Sequence, residues 1–149
     1  MNPFDIKAAL LAKHAQHVVL IHFPIAVFIT GVAFDFIAKW AKNRTLAAAA
    51  YYNLVAAAVS VFPVLATGLL AWQWQLEGQR LKGVLLLHVV FAVISSALIC
   101  LVWWAHFRAR RRPEPSLPAH RLPLELLAVA VVGMTGHLGG ILSGVNIPN

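Results

Sequence analysis

The chain is poor in the residues on which most soluble enzymes rely. It has five acidic residues and one cysteine among 149 positions, and charged residues make up only 11%. So few carboxylates leave little for hydrolytic acid–base chemistry, and the sequence offers no paired carboxylates, no Ser-His-Asp order, no H-E-x-x-H and no Gly-rich phosphate loop. The lone Cys100 excludes an internal disulfide, a zinc knuckle and a C-x-x-C-H attachment site for haem. Buried free thiols behave as small hydrophobes, so Cys100 is expected in the core. Repeats at a fixed period are missing as well.

What the chain has is apolar length. Hydrophobic residues reach 60% and mean hydropathy is +0.77, outside the usual range for a soluble domain. Four apolar segments, about Val18–Trp40, Leu46–Trp72, Val84–Phe107 and Leu122–Leu142, are each long enough to cross a bilayer that needs about 20 residues. They predict an all-α membrane protein: a single four-helix transmembrane bundle spanning residues 1–149, without an extramembrane domain. Residues Met1–Gln16 mix Phe4, Ile6, Leu10 and Leu11 with Asp5, Lys7 and Lys13, which predicts a short interfacial helix. The first apolar run is too long and begins too late for a cleaved signal peptide, so it is expected to remain as a helix.

A net charge of +7 raises the question of nucleic acid, but the distribution of the cations gives a better account. Eight of the twelve Lys and Arg residues (Lys39, Lys42, Arg44, Arg108, Arg110, Arg111, Arg112 and Arg121) fall around connections 1–2 and 3–4. Lys7, Lys13, Arg80 and Lys82 lie on the other side. Positive charge is retained in the cytoplasm, which predicts both termini outside and membrane lipids, not nucleic acid, as the partner of this charge. The linker RARRRPEPSLPAHRLP, Arg108–Pro123, is expected to be a solvated non-helical loop, with His106 and His120 as ordinary interfacial residues beside it. Asp35 is expected to pair with Lys39 one turn on, with proton uptake on that side as the sharper alternative. Trp40, Trp72, Trp74, Trp103 and Trp104 stand at segment ends, where aromatic belts form.

Histidine is the residue that asks for an explanation, because imidazole in hydrocarbon costs free energy. Counting the helical rise from the segment ends places His22, His88 and His137, on three different helices, at one level, about 6–8 Å below the outer boundary. Imidazole ligates haem iron and copper, so a shared haem or metal site is the leading expectation; a hydrogen-bonded cluster or a proton relay is the alternative. His17 lies about 140° round the helix from His22, and is a supporting group, a ligand of a separate outer centre or a plain interfacial residue. The sequence TGHLGG surrounds His137 with Gly136, Gly139 and Gly140, which either admit a flat macrocycle or let helices pack closely as G-x-x-x-G. Pro24 is expected to bend the helix mouth and turn His22 inward.

The stretch HVVLIHFPIAV, the later Asp35, TGLLAW (Thr67–Trp72), His88 and TGHLGGILSG (Thr135–Gly144) together resemble the bacterial four-helix membrane family called domain of unknown function 2231. The resemblance runs from about His17 to Gly144, with Val18 standing where the family motif carries proline. His17 and His22 match the opening histidines of the family, His88 the one in its third helix and His137 the residue before its paired glycines. The resemblance implies a layout like that of membrane b-type cytochromes in a bacterial membrane; with the charge distribution above, the expected location is the inner membrane with both termini periplasmic. The expected function is therefore a haem b electron-transfer subunit of a membrane redox complex rather than a stand-alone enzyme, with no catalytic residues of its own. Its haem would take axial ligands from His22, His88 and His137, and its partners would be other subunits and a c-type cytochrome or quinone. Two other expectations stand beside it: a copper-binding protein using His17, His22, His88 and His137, and a structural subunit without a cofactor.

Overall fold

The computed structural model describes residues 15–112, 118 and 120–144. They form four helices: α1 (Ala15–Ala41), α2 (Arg44–Gln75), α3 (Gly83–Arg110) and α4 (Arg121–Leu142). Each contains one of the four apolar segments and is long and apolar enough to cross a membrane, and no strand occurs among the described residues. The expected interfacial helix at the N-terminus falls largely outside those residues.

The chain runs up and down, with α1 packed on α2, α2 on α3, α3 on α4 and α4 back on α1. The α1–α2 and α3–α4 hairpins are the tight units, and the two seams between hairpins are thinner. The first turn is made by local chemistry. Lys42 adopts φ 49°, the N–H of Asn43 returns to the carbonyl of Ala38 at 3.1 Å, and Asn43 Oδ1 then caps α2 by accepting from Thr45 N–H and Leu46 N–H. At the opposite end, Trp72 Nε1 donates to the carbonyl of Gln79 at 2.9 Å and fastens the second connection.

The proline-rich linker is shorter than its composition suggests. Helix α3 continues through Arg110 and α4 begins at Arg121, so only the middle of Arg108–Pro123 separates them. Pro123 sits in the first turn of α4, where a missing N–H breaks no helical bond.

Each helix turns one stripe inward. On α2 it runs through Ala50, Leu54, Ala57 and Val61, all buried, so the alanine-rich face lets its neighbours approach closely. Phe28 and Val32 from α1, Ile99 and Val102 from α3, and Ala128 and Val132 from α4 complete an apolar middle layer. The opposite faces expose Val59, Phe62, Val93, Leu126 and other large apolar side chains, as a surface facing lipid requires.

Candidate functional site

The same stripes carry polar groups at both ends of the bundle. His17, Pro24, Phe28, Val32 and Asp35 follow one another along the inward stripe of α1; on α3 the stripe runs from His88 through Ser95, Ile99 and Val102 to His106. On α4 it runs from Arg121 through Glu125, Ala128 and Val132 to Thr135 and Gly139. An apolar middle therefore separates a histidine layer at one end from a charged layer at the arginine-rich end.

In the histidine layer, the half-buried rings of His17 and His88 come from opposite hairpins. Each is anchored on the partner helix of its own hairpin. Thr67 Oγ1 gives its proton to the carbonyl of Pro63 at 2.9 Å, so it accepts from His17 Nδ1 at 3.2 Å. His88 Nδ1 donates to the carbonyl of Thr135 at 3.2 Å, and Thr135 is itself held by Ser95, whose Oγ lies 2.6 Å from its hydroxyl. Both rings thus carry their proton on Nδ1 and keep the lone pair on Nε2, the arrangement that outer hydrogen bonds impose on metal-ligating histidines.

Each ring also rests on a glycine. A Cβ at Gly68 would stand 2.9 Å from Cε1 of His17, and a Cβ at Gly139 would stand 3.2 Å from Cε1 of His88. The room that Gly139 leaves is filled by an imidazole. Gly136 borders the thinner α1–α4 seam, where its Cβ would reach Ile25 Cδ1 only at 4.0 Å, and Gly140 lies one turn from it, half-buried, its carbonyl accepting from Ser143 Oγ at 3.1 Å.

The other expected ligands stand apart. His22 is exposed on α1 with Nδ1 donating to the carbonyl of Val18 at 2.7 Å, and His137 is exposed on α4. Pro24 is buried in the stripe without bringing His22 inward. The inward imidazole of α1 is His17, because α1 already runs through that position and its azimuth matches Phe28 and Asp35.

The charged layer departs from the sequence expectations more sharply. Asp35 does not pair with Lys39: it is 2% exposed, and its Oδ2 accepts from Arg121 Nε at 2.8 Å, while Lys39 points out to the surface. His106 is not an interfacial residue but is 3% exposed, with Nε2 at 2.8 Å from Glu125 Oε1. Glu125 is fully buried, and its Oε2 has no hydrogen-bond partner. The two carboxylates that looked unrelated in sequence meet here: ligand atoms of Asp35, His106 and Glu125 all lie within 4.8 Å of one another. Among the described residues this is the one group of three or more metal-ligating side chains that converges so closely.

No curated protein and no solved structure matches the chain. A family model described as a predicted membrane protein, DUF2231, matches residues 13–145; the four apolar helices fit that description, and the chain belongs to that family.

Proposed function

We propose that this protein is a membrane electron-transfer subunit that holds a haem b between its hairpins through His17 and His88. The observation that carries the reading is the pair of half-buried imidazoles at one end of the bundle, one from each hairpin, each with Nδ1 tied to a fixed oxygen and Nε2 left as the donor nitrogen. The donor set suits haem iron, which takes neutral imidazole on its axial positions. The glycine-bordered seam between α1 and α4, where Gly136 only touches Ile25, supports a flat group entering between the hairpins.

In this reading Thr67 and the carbonyl of Thr135 orient the ligands, and Gly68 and Gly139 give the rings space. The apolar middle layer keeps water from the centre and so acts on its potential. Bound haem would supply a one-electron couple. Placing the arginine-rich connections in the cytoplasm puts the histidine layer near the outer face of a bacterial inner membrane, beside an outer acceptor such as a c-type cytochrome, with a quinone or a membrane subunit as donor.

The test is a reduced-minus-oxidised spectrum of the purified protein in detergent, with metal analysis. Soret and α bands, lost in His17→Gln and in His88→Gln but retained in His22→Gln and His137→Gln, are expected. Absence of both bands and of iron overturns the proposal; copper in place of iron selects a copper site on the same imidazoles.

A further inference from the structure

We propose a second, independent site at the arginine-rich end: Asp35, His106 and Glu125 bind a divalent transition-metal cation. The three side chains come from α1, α3 and α4, and exposure is no more than 3% at any of them. Along α1 the site lies about 27 Å from His17 at the helical rise, so it shares no ligand with the histidine layer.

Charge balance is the first argument. The ionisable groups meeting here are Asp35 from α1, His106 from α3, and Arg121 and Glu125 from α4. Arg121 pairs with Asp35, which leaves Glu125 with the imidazole of His106 as its one side-chain partner, on Oε1 alone. A buried carboxylate oxygen without a donor is costly, and Oε2 of Glu125 is such an atom. A bound cation would give that oxygen its partner.

Ligand chemistry is the second. One imidazole nitrogen and two carboxylates make an N,O,O set suited to zinc, manganese or ferrous iron. His106 Nε2 and Glu125 Oε1 are 2.8 Å apart. Opening that contact to roughly 3.3 Å, the edge of a tetrahedron built on bonds of about 2.0–2.1 Å, admits the ion. Arg121 holds Oδ2 of Asp35 and leaves Oδ1 as the donor, the role that hydrogen-bonded outer groups take around metal-bound carboxylates. The orphaned Oε2 becomes a second oxygen from Glu125.

The experiment uses the full chain in detergent, stripped with chelator and titrated with Zn²⁺ and with Mn²⁺ by calorimetry and thermal unfolding. One equivalent per chain and a raised Tm are expected, with affinity at least about tenfold weaker in Glu125→Gln and in His106→Gln and unchanged in His17→Gln and His88→Gln. Failure of both ions to saturate the protein overturns the proposal. Binding that survives Glu125→Gln and His106→Gln overturns it too. Should those variants fail to fold, X-ray absorption on the metal-loaded wild type decides: a shell with one imidazole and oxygen donors supports the site, and two or more imidazoles refute it.

Discussion

Arg121 Nε donates to Asp35 Oδ2 at 2.8 Å and ties the start of α4 to the inward stripe of α1. Both side chains are buried, at 9% and 3% exposure, so solvent does little to screen the pair. Removing one partner leaves the other charge in a low dielectric, which costs about 3–5 kcal/mol. Asp35→Asn and Arg121→Gln are each expected to lose that amount in equilibrium unfolding in detergent, whereas the double variant Asp35→Leu with Arg121→Met recovers most of it. Two single losses that simply add in the double variant would show that the residues act separately.

The four helices were legible because membrane length and hydropathy constrain them strongly, and the backbone must satisfy itself within each segment. The sites were only half legible. Axial depth follows from counting residues, whereas azimuth needs the stripe. Asp35 lies in register with Phe28 and Val32, which identifies it as inward, but a local i,i+4 rule assigned it to Lys39 on the outside. His106 follows Ile99 and Val102 in the same way, and Glu125 precedes Ala128 and Val132. A single carboxylate within the apolar run LPLELLAVAVV was the available signal for the charged layer. Its partner, His106 on α3, is a long-range contact that no local pattern encodes.

The proposed orientation rests on the cationic connections and can be tested chemically. In a Cys100→Ser background, Lys42→Cys and Arg112→Cys are expected to be shielded from a membrane-impermeant thiol reagent in intact cells, and Gln79→Cys to be labelled. The reverse pattern would turn the histidine layer toward the cytoplasm and remove the proposed outer acceptor.

Thr135 serves two neighbours through different atoms. Its hydroxyl meets Ser95 Oγ at 2.6 Å, and its carbonyl accepts from His88. Thr135→Val removes the first contact and keeps the second. Interhelical hydrogen bonds in membranes average about 0.6 kcal/mol, with values up to about 1.7, so unfolding should show a loss in that range. The His88-dependent absorption should stay unchanged; its disappearance would mean that the hydroxyl, not the carbonyl, sets the ring.

Glycine substitutions separate a ring cradle from ordinary helix packing. Gly133 is exposed with nothing within 4 Å of an added Cβ, so Gly133→Ala should gain up to about 1 kcal/mol from helix propensity alone. Gly68→Ala gains the same propensity but sets a methyl 2.9 Å from Cε1 of His17, closer than any real Cβ contact, and Gly139→Ala sets one 3.2 Å from Cε1 of His88. The imidazole is the movable end of its side chain, so each variant should cost less than about 1–3 kcal/mol in stability and act chiefly by displacing the ring. Imidazole chemical shifts of the cofactor-free protein would report that displacement directly: His17 should shift in Gly68→Ala, His88 in Gly139→Ala, and neither in Gly133→Ala. If the proposed haem is bound, its content should fall in the first two variants alone, because each displaces a ring proposed as its ligand. Equal cofactor content in all three would break the link between these glycines and the proposed haem site, even with both rings displaced.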